Sequence, residues 1–208
     1  MTASVAHLEF LVEDRSMEVF LRSLLPRWLP AELTWSVHAY QGKPDLFQRL
    51  PDRLRGFANY LPDNSRIVVL VDCDDDECVS LRRKMDAAAT NAGLRIRSAE
   101  NSREWQIVNR IAVEELEAWY FGEWQAVCQA FPRLPSHLPK KASFRDPDAI
   151  RGGTWEAFER VLQKYGYDKT GLRKPAAARL IGSTFDAGAC RSRSFQKLHA
   201  VIAEVTSP

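Results

Sequence analysis

Cysteine is scarce in this chain and falls into no pattern: Cys73, Cys78, Cys128 and Cys190 contain no CxxC pair. That spacing argues against a zinc site or a disulfide framework, and reduced thiols in a cytoplasm are the expectation. No window approaches the ~18 uninterrupted apolar residues that span a bilayer. A membrane role is therefore not expected. The residues before Glu9 lack a basic segment followed by a long apolar one, so no signal peptide is expected. A P-loop is also missing, as are internal repeats and low-complexity tracts.

What is present is enough for one sizeable core: 208 residues, 45% of them hydrophobic. The net charge of +2 hides an asymmetry. Residues 1–132 carry 15 Lys+Arg against 20 Asp+Glu, and residues 133–208 carry 14 against 7. An acidic front part with a basic rear part suits a metal site beside a polyanion surface, although two ordinary solvated faces would give the same counts.

Hydrophobic patterning predicts strands at Ala6 to Val12, Leu33 to Ala39 and Arg66 to Asp72, with helices after each. Ser16 and Asp45 are candidate caps for the first two helices. The run Ile67-Val-Val-Leu-Val71 reads as a central strand buried on both faces. A helix over Val79 to Asn91 should end at Gly93, with weaker strands at Leu94 to Ile96 and Ile107-Val108. This order predicts an α/β fold with an open, mostly parallel sheet and helices on both faces. From Val113 the pattern turns helical, interrupted by a Pro-rich stretch from Pro132 to Pro147. Residues 1–132 are read as the α/β metal-binding domain and 133–208 as a small helical appendage packed on it.

Glu13 and Asp72 each fall at the carboxyl end of a predicted strand, so a parallel sheet brings both to the edge where such folds bind ligands. In Asp72-Cys73-Asp74-Asp75-Asp76-Glu77, an extended chain points residues 72 and 74 to one side. Clustered carboxylates repel unless a cation compensates, and an all-oxygen set predicts Mg²⁺ or Mn²⁺. An EF-hand is excluded, because the positions that require Gly and Glu hold Glu77 and Arg83. A haloacid-dehalogenase-like phosphatase with Asp72 as nucleophile, a sugar-nucleotide transferase using Asp-x-Asp, and a solvated acidic turn stay open. The four histidines have no partner spacing and read as structural or surface residues.

Leu11-Val12-Glu13-Asp14-Arg15-Ser16-Met17-Glu18, followed by Val68-Val69-Leu70-Val71-Asp72-Cys73-Asp74, resembles the Toprim signature, with Asp14 where Toprim has Gly. More of the chain resembles a Toprim-like group, domain-of-unknown-function family 4276. The matching segments are Gln41-Gly42-Lys43-Pro44-Asp45-Leu46, Val113-Glu114-Glu115-Leu116-Glu117-Ala118-Trp119, Arg145-Asp146-Pro147-Asp148-Ala149-Ile150 and Ser192-Arg193-Ser194-Phe195. Members of that family are similar to the Toprim nucleases of overcoming-lysogenization-defect type and often accompany defence systems.

The resemblance implies that Glu13 is a metal ligand or general base, that Asp72 and Asp74 form the metal-binding pair, and that Glu18 is a supporting acid. Asp76 and Lys43 are further supporting candidates, Lys43 as a phosphate neutraliser. Glu114 and Glu117, three apart on an expected helix, are candidate ligands of a second metal; an amphipathic helix burying Leu116, Trp119 and Tyr120 is the plain alternative. Lys140, Lys141, Arg145, Lys174, Arg191 and Arg193 are the candidate nucleic-acid contacts, with Lys169, Arg173 and Lys197 near them in sequence.

The function expected from this reading is metal-dependent phosphoryl transfer on DNA or RNA, as a nuclease of a defence-like system. The alternative is an accessory protein that works only with an ATPase partner supplied in trans, or binds without cutting. No tyrosine is placed for strand passage, and the chain leaves little room for the extra modules of a primase.

Overall fold

The computed structural model describes residues 4–74, 76–98, 104–167 and 173–206. Strands and helices alternate from the start: β1 (His7–Val12), α1 (Arg15–Trp28), β2 (Thr34–Ala39), α2 (Lys43–Tyr60), β3 (Ser65–Asp72), α3 (Cys78–Asn91) and β4 (Ile107–Ala112). The four strands are all parallel, in the order β2-β1-β3-β4. The chain runs outward from β1 to β2 and then returns past β1 to add β3 and β4 on its other side. The crevice between the carboxyl ends of β1 and β3 is therefore a topological switch point, the place where open α/β sheets receive ligands.

Alternation along the strands divides the core in two. Leu8, Phe10, Val12, Val68 and Leu70 pack beneath α1 and the later helices. Leu11, Ile67, Val69 and Val71 pack against α2 and α3. Burial on both faces explains why β3 is aliphatic from Ile67 to Val71.

The rest of the chain is helical: α4 (Leu116–Gly122), α5 (Trp124–Ala130), three 3₁₀ turns (Leu138–Lys140, Ala142–Phe144, Pro147–Ala149), α6 (Thr154–Lys164), α7 (Lys174–Gly182) and α8 (Arg193–Thr206). These elements share a core with the sheet. Phe20 of α1 meets Phe185 at 5.0 Å between ring centroids, and Trp119 of α4 meets Phe195 of α8 at 5.0 Å. At Gly182 the backbones of α7 and α1 approach so closely that a Cβ would stand 2.8 Å from the Phe20 carbonyl oxygen. No helix among the described residues is long and apolar enough to cross a membrane.

Several local expectations need correction. The N-cap of α1 is Asp14, which accepts from the Met17 N–H at 2.8 Å, so Ser16 lies inside the helix. The cap of α2 is Gly42 at φ +88°, a left-handed value that glycine tolerates. Asp45 instead accepts from the Gln41 N–H and pairs with Arg49. Leu94 to Ile96 forms no strand; Ile96 makes one isolated parallel bridge to Ile107. The thiol expectation fails as well: Cys73 and Cys78 are disulfide-linked, and Cys128 and Cys190 are free. A turn after β3, closed by Asp76 N–H to the Cys73 carbonyl at 3.0 Å, folds the chain back and brings the two together.

Three of the family-like segments interlock through Trp119, Asp148 and the Ser192–Ser194 pair. The Asp148 carboxylate accepts from Ser192 Oγ at 2.6 Å and from Ser194 N–H at 3.0 Å, while Trp119 Nε1 donates to Ser194 Oγ at 3.0 Å. This clasp fixes the start of α8 against α4.

Candidate metal centre

Strand register decides which acids meet. Val12 is level with Leu70, so Glu13 leaves β1 beside the last turns of the β3 ladder. Its backbone N–H donates to the Leu70 carbonyl at 3.2 Å, and its Oε2 accepts from the Asp72 N–H at 3.0 Å. Residues 59 apart in sequence are thereby joined at the switch point, as the parallel arrangement predicts.

Asp72 is the most constrained member. Part of the residue still reaches solvent, but Oδ1 is enclosed and has no hydrogen-bond partner among the described residues. Burial, followed by the charges of Glu13 and Glu117, holds its carboxyl well above the usual carboxylate range. Burial likewise pushes Glu13 up to about 7, against the opposing pull of the Asp72 N–H and Lys43.

Asp74 does not continue the strand. It adopts φ +47°, and its N–H donates at 2.8 Å to the carbonyl of Glu114, itself at φ +62°. These two are the only non-glycine residues with positive φ among those described, and such backbone strain concentrates at functional sites. The extended alternation expected for residues 72 and 74 is therefore wrong. The Asp74 side chain is turned to the mouth of the cleft, where Lys43 Nζ lies 2.7 Å from Asp74 Oδ2, 2.7 Å from Asp76 Oδ2 and 3.1 Å from the Cys73 carbonyl. These acids raise the Lys43 pKa, overcoming the effect of its burial. Asp75 lies outside the described residues.

Glu114 and Glu117 do not share a helical face, because α4 begins at Leu116. Glu117 is 2% exposed in the first turn of α4, and its charge acts on Asp72. Burial, opposed by Lys174 and reinforced by Glu115, pushes its carboxyl up to about 7. Glu18 stands apart: it is 2.5 Å from Arg15 and 2.7 Å from Arg22, and these ion pairs outweigh its burial and hold its pKa down.

Three residues at the cleft escaped the sequence reading. Asp14 adds negative charge felt by Glu13, Asp72 and Glu117 while it caps α1. Glu115 accepts from Thr154 Oγ1 at 3.0 Å and Trp155 N–H at 2.9 Å, tying the start of α6 to the cleft. The Tyr120 hydroxyl is buried without a partner among the described residues, and its pKa is raised by burial and by Glu117, Asp14 and Asp72. Sequence periodicity marks Tyr120 as core, which it also is.

Of the candidate nucleic-acid contacts, Lys174 borders the cleft, 3.7 Å from Glu115 Oε1 and 4.5 Å above the Trp155 ring. Arg191 donates to the Arg145 carbonyl at 3.2 Å and the Phe121 carbonyl at 3.3 Å. Lys140, Lys141, Arg145 and Arg193 are exposed, and Lys169 lies outside the described residues. The expected structural role of histidine fits His38, whose Nε2 is 2.8 Å from Glu9 Oε2.

Among the described residues no group of three or more His, Cys, Asp or Glu side chains is placed so that it could hold a metal ion as it stands. The chemistry of the donors, though not yet their spacing, fits a hard divalent cation: they are all oxygen, they repel one another, and two buried oxygens, Asp72 Oδ1 and Tyr120 Oη, lack partners among the described residues. No curated protein and no solved structure matches the chain. The family described as domain of unknown function (DUF4276) matches residues 12–203. The segments that shape this cleft fall within that match, and the chain belongs to the DUF4276 family.

Proposed function

We propose that the chain is a Toprim-type, Mg²⁺- or Mn²⁺-dependent phosphodiester hydrolase acting on nucleic acid. The observation that carries this reading is the enclosed, partnerless Asp72 Oδ1 at the β1/β3 switch point, flanked by Glu13 and Glu117. Glu13 and Asp72 would hold the cation, with Asp74 joining from the mouth and Glu117 and Glu114 on the α4 side. When bound, the cation supplies Lewis-acid stabilisation of charge on phosphate oxygens. Glu13, at about 7 in the metal-free protein, would be held ionised as a ligand of the cation. Lys140, Lys141, Arg145, Lys174, Arg191 and Arg193 would position the phosphate backbone. On the family resemblance alone, this reading sets the protein in the cytoplasm, in a defence-like system.

Incubation of the purified chain with plasmid DNA and with RNA tests this. Cleavage should require Mg²⁺ or Mn²⁺, stop with EDTA, and fall by about 10² or more in Asp72→Asn. Cleavage that persists in Asp72→Asn would refute it. Lys43 favours a second reading, because its ammonium already bridges Asp74 and Asp76. A protein that releases this bridge only on meeting an ATPase partner would cut nothing alone and would cut when that partner, encoded nearby, is added.

A further inference from the structure

A second concavity lies between the 3₁₀ turns and α6, with a volume of about 420 Å³, in the range of small-ligand sites. Its floor is apolar: Leu138, Ile150, Ala157 and Val161 line it and are each at most 7% exposed. Its rim is cationic, with Lys141, Arg151, Arg160 and Lys164 against a single acid, Asp146. Helical spacing puts Ala157, Arg160, Val161 and Lys164 on one face of α6, so floor and rim are built together.

None of the four cations has an ion-pair partner among the described residues. The Asp146 carboxylate is engaged by the Asp148 N–H at 3.1 Å. Four like charges around an apolar hollow call for an anion. Two rings complete the wall. Phe144 is stacked on Phe121 at 5.1 Å and 10°, and Phe121 is in turn stacked with Trp124 at 5.5 Å. Tyr165 closes the end of α6. An apolar hollow alone would accept an aliphatic chain, and cations alone would accept inorganic phosphate. Aromatic walls, guanidinium planes and a cationic rim together match a flat base carrying a phosphate.

We infer that this cavity is a nucleotide-binding site, taking one nucleoside monophosphate unit with its base against Phe144 or Tyr165 and its phosphate among Lys141, Arg151, Arg160 and Lys164. The site is separate from the carboxylate cleft and needs no metal. Its ligand is either a free nucleotide or one nucleotide of a strand.

Calorimetric titration of the full chain in EDTA with AMP, GMP, CMP and UMP tests this whether or not the cleft hydrolyses anything. At least one nucleotide should bind saturably, and roughly tenfold or more tighter than its nucleoside or inorganic phosphate alone. Arg160→Ala and Lys164→Ala, both at exposed positions, should each weaken it about tenfold. Arg179→Ala, a cation outside the cavity, should leave it unchanged. Competition against a fluorescent AMP by a 5′-phosphorylated tetranucleotide separates the sources: displacement at lower concentration than AMP identifies a strand, and at higher concentration a free nucleotide. The inference is overturned if no nucleotide binds, if adenosine binds as tightly as AMP, or if Arg179→Ala weakens binding as much as Arg160→Ala.

Discussion

Glu117→Gln should make the metal-free protein more stable at alkaline pH. The Glu117 carboxyl is pushed from 4.5 to about 7, chiefly by burial. Because the folded-state value is raised, folding favours the neutral acid: its stability is intact below the unfolded value and is lost as pH rises through about 7. A shift of that size is worth about 3 kcal/mol at most. Glutamine preserves shape and hydrogen-bonding capacity but never ionises. Urea unfolding in EDTA, followed by fluorescence of tryptophans such as the buried Trp105 and Trp119, should give similar stabilities at about pH 5. At about pH 8 the variant should gain roughly 2–3 kcal/mol over the parent. Adding Mg²⁺ or Mn²⁺ at about pH 8 should narrow the gap, since a cation offsets the buried charge only where that charge exists. A stability difference that does not change between the two pH values would refute the reasoning, and so would a variant less stable than the parent at alkaline pH.

Three further outcomes follow from other parts of the molecule. Gly182→Ala should destabilise by about 1–3 kcal/mol in urea unfolding, because the added methyl would meet the Phe20 carbonyl oxygen at 2.8 Å. Arg22→Ala should cost about 1–2 kcal/mol, by removing the Glu18 ion pair and the bond to the Val37 carbonyl, while leaving divalent-cation affinity unchanged. Binding of DNA or RNA, measured by anisotropy with Ca²⁺ in place of Mg²⁺, should weaken steeply with salt, and reversing Lys140 and Lys141 should flatten that slope; a slope unaffected by the reversal removes both lysines from the interface.

The sheet was legible because its signals are local. The aliphatic run of β3 and the polar residue that ends it placed Asp72, and the alternation of strands with helices placed Glu13 beside it. The rest of the cleft depends on backbone and long-range geometry that composition does not carry. Nothing in Asp72-Cys73-Asp74 announces that Asp74 turns left-handed or that Lys43 will bridge it to Asp76. A helical reading of Glu114 failed because the helix waits until Leu116, and Glu115, unremarked in sequence, became the anchor for α6. The Cys73–Cys78 link was missed because its five-residue separation belongs to no familiar motif. Family-like segments divided by role: those around Lys43 and Glu117 shape the cleft, whereas those around Asp148 and Ser194 form a structural clasp.

Mn²⁺ titration by calorimetry at about pH 6.5, on the parent and on Asp72→Asn combined with Asp74→Asn, tests the metal site most directly. Buffers of different ionisation enthalpy would also read the protons released. The parent should bind saturably and release protons from acids raised toward 7, and the double variant, with its circular dichroism unchanged, should bind nothing measurable. Equal affinity in the two proteins would contradict a metal centre at this sheet edge.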